Sequence, residues 1–139
     1  MGGIACAIKQ THPKVRVIAV ELEAGPGLRP ALEAGYPVPV ARPAGTLADG
    51  LIPPFVGQLP LEIARRYVDE VVEVSESEIE EAMRLILSRV KLCAEGGGAA
   101  ATAAILSGRV KFPPGARVVA LLSGGNVDPQ RLGAVLTSS

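Results

Sequence analysis

The sequence has few aromatic residues and no excess of charge of either sign. Phe, Trp and Tyr make up 3% of the 139 residues, and Trp is absent. Fourteen basic residues balance fourteen acidic ones. Strong binding to nucleic acid or to an anionic membrane requires a positive excess, and single-stranded nucleic acid also favours aromatic stacking platforms. The composition therefore predicts neither a nucleic-acid partner nor a membrane partner.

Cysteine and histidine are equally scarce. Cys6 and Cys93 lie far apart and outside any metal-ligand spacing, so we expect both to be small core residues in a reducing compartment. The single histidine, His12, lies in a Thr-His-Pro helix exit and offers no catalytic triad. The apolar stretch 1–9 is too short to cross a bilayer and lacks the features of a signal peptide. A cytoplasmic protein is predicted.

Apolar residues, at 48%, are abundant enough for the core of one domain spanning residues 1–139. Glycine and proline cluster between residues 25 and 60, which predicts loops there. Elsewhere the apolar pattern predicts strands at 15–22, 70–74 and 117–122. It predicts helices at 2–10, 28–34, 61–67, from a capping box at Ser75 to Val90, at 96–106, and from Asp128-Pro129 onward. Alternating strands and helices indicate an α/β protein with a largely parallel sheet and flanking helices.

Ligands of open parallel sheets bind beyond the carboxyl ends of the strands, and residues 123–126 (Ser-Gly-Gly-Asn) directly follow the predicted strand 117–122. The two glycines allow a ligand to approach the backbone closely, and the Ser123 hydroxyl can donate or accept a hydrogen bond. The alternative is a tight turn between strand and helix, with Asn126 as a cap.

Two further groups of residues lie at such ends. Residues 95–98 (Glu-Gly-Gly-Gly) open a helix whose N–H groups favour an anion or a polar ring substituent, and the alternative is a plain glycine-rich helix entry. Glu21 ends a strand, with Glu23 two residues on, and carboxylates there can hold a hard cation. The alternative is a pair of solvated loop charges. The acidic residues at 76–81 are expected to form a solvated helix face.

Five stretches, in order along nearly the whole chain, resemble the pyridoxal-phosphate-dependent threonine/serine dehydratases and serine racemases. They are GGIACAIKQTHPKVRVIAVELEAG (2–25), TLADG (46–50), YVDEVVEVSESEIEEAM (67–83), KLCAEGGGAA (91–100) and LLSGGNVD (121–128). The resemblance implies part of the large domain of fold type II of these enzymes, as in the tryptophan synthase β-subunit. Such enzymes remove the α-proton and the β-hydroxyl of a small hydroxy amino acid, and they release a 2-oxo acid and ammonia.

By this resemblance, Ser123 would hydrogen-bond the pyridine nitrogen of the cofactor, and Gly124 and Glu95 would line the same pocket. A neutral hydroxyl at that nitrogen does not force protonation of the ring and so limits its strength as an electron sink. Glu21 and the Gly25 carbonyl would open a divalent-cation site. The next ligand of that site should be acidic, but position 27 is Gly27.

The family's Schiff-base lysine lies in an S-x-K-x-R-G motif, upstream of a tetraglycine phosphate loop, and neither motif occurs in these residues. The sequence thus resembles the carboxyl-terminal portion of the family, contains no catalytic residue, and is expected to be inactive alone. A complementary amino-terminal half or a homo-oligomer is the expected partner. The alternatives are a non-catalytic regulatory module that binds an amino acid or phosphate, and a structural role without a ligand.

Overall fold

Helices and two parallel strands alternate along residues 1–137, which are the residues that the structure, a computed structural model, describes. The order is α1 (Gly2–Thr11), β1 (Ile18–Leu22), α2 (Leu28–Ala34), a 3₁₀ turn (Asp49–Leu51), α3 (Gln58–Tyr67), β2 (Glu70–Val74), α4 (Glu76–Leu85), a π-helical turn (Ile86–Val90), α5 (Gly96–Leu106) and α6 (Pro129–Thr137). The predicted α/β class is confirmed. No helix among residues 1–137 is long and apolar enough to cross a bilayer.

The sheet consists of β1 and β2, which pair in parallel from Ile18 opposite Glu70 to Leu22 opposite Val74. Parallel strands require a crossover, and α2 and α3 provide it. Leu22 and Val74, at the carboxyl ends of the two strands, are fully buried. Every strand end that the sheet offers to a ligand therefore lies on the side where the loops after β1 and β2 emerge.

The main core lies between the sheet, α4 and α5. The alanines of α5 are small enough for the helix to approach the neighbouring elements closely, and four of them are almost completely buried (Ala99, Ala100, Ala103 and Ala104). A second, smaller cluster joins β1 to α2 and α3 (Ala19, Leu28, Ala31, Leu61 and Ala64). Burial of these apolar side chains is the main force that holds the crossover helices and α5 onto the strands.

The start of α4 has the predicted capping box. The Ser75 Oγ accepts from the Glu78 N–H at 3.2 Å, and the Glu78 Oε2 accepts from the Ser75 N–H at 2.7 Å. The helix does not continue regularly to Val90 as predicted, because its last residues form the π-helical turn. Lys91, with φ of 63°, ends that turn in the left-handed region and redirects the chain.

Arg109 ties the segment that follows α5 back to α4. Its Nε donates to the Glu78 Oε1 at 2.9 Å, and its Nη2 lies 3.8 Å from the Glu23 Oε2. Partial burial raises the pKa of Glu78, but the Arg109 hydrogen bond and charge and the Ser75 N–H outweigh it, so the pKa lies below its usual value. Ionised Glu78 thus contributes to both the helix cap and the ion pair.

The prediction of a strand at 117–122 is wrong, since these residues have no regular secondary structure. Val119 is 83% exposed and Leu121 is 48% exposed, although both are apolar. A strand needs a hydrogen-bonding neighbour, and within residues 1–137 the only two strands, β1 and β2, pair with each other. The apolar pattern correctly indicates a segment suited to burial, but no neighbouring strand is available.

Two smaller predictions also need correction. Helix α3 begins at Gln58 rather than at residue 61, and it contains Pro60 in its first turn. Proline is tolerated there because the first N–H groups of a helix have no partner within the helix. Cys93 is exposed and Cys6 only partly buried, so the expectation of two core cysteines is wrong for Cys93.

Candidate functional site

The structure brings two of the predicted site segments, residues 95–98 and 123–126, into direct contact. The Glu95 N–H donates to the Gly124 carbonyl at 3.0 Å. In return, the Glu95 Oε2 accepts from the Asn126 N–H at 3.1 Å. Glu95 therefore joins the start of α5 to the turn that precedes α6.

Glycine makes this contact possible. A Cβ atom on Gly124 would lie less than 3.0 Å from the Glu95 carboxylate, and one on Gly98 would lie less than 3.0 Å from the Gly124 carbonyl. A Cβ on Gly125 would lie 2.6 Å from the Cys93 carbonyl. Real Cβ atoms do not approach other atoms so closely, so the glycines of both motifs are needed for the two segments to pack.

The TLADG stretch, residues 46–50, is the third segment at this place. A Cβ on Gly96 would lie less than 3.0 Å from the Leu47 carbonyl, and one on Gly50 would lie 3.9 Å from the Glu95 Oε1. Three of the five stretches that carry the family resemblance thus surround one half-buried carboxylate, that of Glu95.

Three side chains that the sequence analysis did not assign to the site hold the TLADG stretch in place. The Thr46 Oγ1 donates to the Glu76 Oε2 at 2.7 Å, and the Glu76 Oε1 accepts from the Leu47 N–H. From the other side, the Arg131 Nη1 donates to the Thr46 carbonyl at 3.2 Å. The expected solvated face at 76–81 is therefore wrong for Glu76. Its position directly after the cap residue Ser75 was the available signal, because the first turn of a helix favours a carboxylate.

An open cavity of about 490 Å³ lies over the convergence of these segments. Its lining consists of Leu47, Asp49, Glu95, Asn126, Val127, Asp128, Pro129 and Arg131. A neighbouring cavity of about 330 Å³ shares Asp49 and Arg131 with it. The volume suits a small organic ligand, and the polar groups converge at the Glu95 end.

The residues present fit the ring side of pyridoxal phosphate. Ser123 is exposed and precedes the glycines, so its hydroxyl is accessible to a ligand. Glu95 and the glycine backbone offer a close, polar surface for a flat ring. None of the lysines in residues 1–137 lines either cavity, and Lys91 donates to the Ser88 carbonyl. The roles predicted for Ser123, Gly124 and Glu95 are untested, and the geometry is compatible with them.

Glu21 lies apart from this cavity and has a different environment. It is 7% exposed, and its Oε2 accepts from the N–H groups of Gly27, at 2.7 Å, and Leu28. Its Oε1 accepts from the Arg29 N–H at 2.9 Å. No group of three or more Asp, Glu, His or Cys side chains in residues 1–137 is arranged to hold a metal ion. The residues around Glu21 and Gly25 do not fit the predicted divalent cation.

Comparisons with known proteins agree on the family. The model of the family described as "Pyridoxal-phosphate dependent enzyme" matches residues 1–124. The catabolic L-threonine dehydratase TdcB of Escherichia coli strain K12 is 40% identical over 136 residues, which are 97% of this chain and 41% of that protein. The L-threonine ammonia-lyase of Geobacter sulfurreducens is 43% identical over 136 residues, 98% of this chain and 33% of that protein.

Solved structures show the same likeness. A bacterial threonine deaminase, from the organism abbreviated T.th., superposes with a TM-score of 0.77 at 37% identity, covering 91% of this chain and 45% of that one. Maize serine racemase superposes with a TM-score of 0.82 at 31% identity, covering 96% of this chain and 41% of that one. The chain spans about two fifths of the length of the first E. coli relative. Matched over most of its residues by the family model, the chain belongs to the pyridoxal-phosphate-dependent enzymes of fold type II.

Proposed function

We propose that this chain provides the pyridine-nitrogen side of the cofactor pocket in a cytoplasmic threonine/serine dehydratase. The observation that carries the proposal is the convergence of the TLADG, 95–98 and 123–126 segments on the Glu95 carboxylate. Three segments far apart in sequence meet beside an open cavity, and each resembles a motif of the same enzyme family. A fold kept only for stability would not require all three motifs at the mouth of one cavity.

Within this pocket, each residue has a distinct task. The Ser123 hydroxyl hydrogen-bonds the ring nitrogen, and Gly124 lets the ring approach the backbone. Glu95 keeps the turn at 123–126 at a fixed distance from α5, through the hydrogen bond from the Asn126 N–H. When bound, pyridoxal phosphate supplies the electron sink that stabilises negative charge at the α-carbon of an amino acid.

The substrate we propose is a small hydroxy amino acid, threonine or serine. The names of the relatives from E. coli and G. sulfurreducens, a threonine dehydratase and a threonine ammonia-lyase, support this choice. The structural neighbours named as a threonine deaminase and a serine racemase support the same class of substrate.

The amine that binds the cofactor is proposed to belong to polypeptide outside these 139 residues. The S-x-K-x-R-G motif does not occur in them, and no lysine of residues 1–137 lines either cavity. The exposed apolar residues at 117–122 support a partner, because an apolar segment without a neighbouring strand favours pairing with another chain. That segment leads directly into Ser123, so a partner strand added beside it would reach the pocket.

The first test is turnover by the purified chain alone. The chain is incubated with pyridoxal phosphate and threonine, and 2-oxo acid release is measured together with the absorption of a lysine-linked cofactor. We expect neither signal. Turnover or a lysine-linked band from the chain alone would contradict the claim that the amine lies elsewhere.

The second test adds a complementary polypeptide, for which we choose the part of E. coli TdcB that this chain does not span. Turnover should then appear. Ser123→Ala should lower kcat about tenfold, a loss of about 1.4 kcal/mol of transition-state stabilisation. Ser88→Ala, a serine on the π-helical turn outside the cavity, is the matched control and should keep full activity. Saturable amino-acid binding by the chain alone, with no turnover in the mixture, would instead favour the regulatory module.

A further inference from the structure

Two carboxylates lie side by side near the end of the sheet. Glu21 of β1 is the register partner of Glu73 of β2, and partners in a parallel pair project from the same face. Like charges on neighbouring strands destabilise a sheet unless positive charge or N–H donors compensate them. A divalent cation is one way to supply this compensation, and the resemblance to the dehydratases predicts one beginning at Glu21.

In this chain the compensation comes from the protein itself. The buried Glu21 carboxylate accepts three N–H groups, those of Gly27, Leu28 and Arg29, where α2 begins. These donors have no partner within a helix, and the positive end of the helix dipole favours a negative charge at the same place. Both oxygens of Glu21 are therefore occupied, and they fix the turn between β1 and α2.

Arg29 serves the second carboxylate as well as the first. Its backbone N–H donates to the Glu21 Oε1 at 2.9 Å, while its side-chain Nε donates to the Glu73 Oε1 at 2.6 Å. Its Nη2 also donates to the Val71 carbonyl. A single residue thus connects both carboxylates and the backbone of β2 to α2.

The surroundings of Gly27 leave no room for the acidic side chain that the family pattern expects there. A Cβ on Gly27 would lie 2.8 Å from the Val40 Cγ2 and 3.4 Å from the Val56 Cγ2. The same Cβ would be 3.9 Å from the Glu21 Oε2, so an acidic residue would also bring a third negative charge to the pair. Gly27 therefore belongs with the packed arrangement and not with a cation site.

We propose that Arg29 and the first N–H groups of α2 replace the divalent cation in this chain. They neutralise Glu21 and Glu73 and order the turn after β1, so the fold does not require Mg²⁺, Mn²⁺ or Ca²⁺. The proposal concerns this corner of the fold and does not depend on the cofactor or on a complementary chain.

The test begins with the melting temperature of the 139-residue chain, measured in EDTA and in millimolar MgCl₂, MnCl₂ or CaCl₂. The melting temperature should be the same in all four solutions, and calorimetric titration with each salt should show no saturable binding. A cation that raises the melting temperature and binds saturably would overturn the proposal. This measurement needs no variant, so it remains decisive if a variant fails to fold.

Two variants then test the residues. Glu21→Gln removes the charge that the three N–H groups stabilise and should lower the melting temperature by about 5 °C or more. Arg29→Leu should lower it by less, because the Arg29 side chain is 45% exposed, and the difference from wild type should shrink in high salt. Glu33→Gln, on the exposed face of α2, is the control and should melt with the wild type. Wild-type melting of Glu21→Gln, or a salt-independent loss in Arg29→Leu, would contradict the assigned roles.

Discussion

The paired strands and the segment at 117–122 have similar sequences but opposite environments. β1 reads IAVEL and β2 reads EVVEV, and their carboxyl-terminal residues Leu22 and Val74 are fully buried. Residues 117–122 read RVVALL, yet Val119 is 83% exposed. An apolar, β-branched pattern determines what a segment can form, and the presence of a neighbouring strand decides whether it forms. The structural incompleteness of this chain is therefore confined to one segment, while the rest of the core is closed.

The largest expected effect comes from a matched pair of leucines. Leu22→Ala, in the fully buried end of β1, should reduce the free energy of unfolding by about 2–5 kcal/mol because it leaves a cavity. Leu121→Ala, at a site that is 48% exposed, should change it by less than about 0.5 kcal/mol. Urea unfolding of both variants measures the difference. Equal losses would mean that 117–122 is as well packed as β1, and the comparison would fail.

A smaller effect is expected where the exposed segment is anchored at its carboxyl-terminal end. Gly98→Ala places a methyl group against the Gly124 backbone and should cost about 1–3 kcal/mol, because neither backbone can yield easily. Gly133→Ala, in α6 with open space around it, is the control and should stabilise the protein by up to about 1 kcal/mol. Urea unfolding again gives both values, and a harmless Gly98→Ala would show that residues 95–98 and 123–126 are not in close contact.

The smallest effect concerns the other anchor, the ion pair of Arg109 with Glu78. A carboxyl group whose pKa is lowered by folding stabilises the native state above its unfolded pKa, and this contribution is lost as the pH falls through the folded value. Stability should therefore decline below the ordinary value of 4.5 for Glu78, and Glu78→Gln should remove part of that decline. Melting temperatures from neutral to acid pH provide the measurement. Glu81→Gln, an exposed residue on α4, should keep the wild-type profile, and if Glu78→Gln also keeps it, the anchor contributes nothing.

Local signals were sufficient to predict several elements of the fold. Helix α2, strand β2 and helix α5 have the predicted bounds, since each is delimited by glycine, proline or a cap residue in the sequence itself. The capping box of Ser75 and Glu78 was readable for the same reason. Pairing at 117–122 was not predictable, because it depends on residues far away in sequence or on another chain.

The candidate site was partly readable. The glycines at 95–98 and 123–126 indicated close approach, and the structure shows that the partners of that approach are each other. The contact of Glu76 with Thr46 joins residues 30 positions apart and has no local signature. Likewise, a carboxylate at a strand end is compatible with a cation or with helix N–H groups, and only the turn after β1 reveals that Glu21 has the latter.

The exposed apolar segment also bears on how much of this protein a cell would contain. Val118, Val119, Leu121 and Leu122 display the kind of surface by which chaperones and proteases recognise unfinished proteins. A copy whose segment stays uncovered should be degraded faster than one whose segment is covered. Intracellular abundance of the chain would then follow the supply of whatever covers residues 117–122, which links its production to that of its partner without any dedicated regulator.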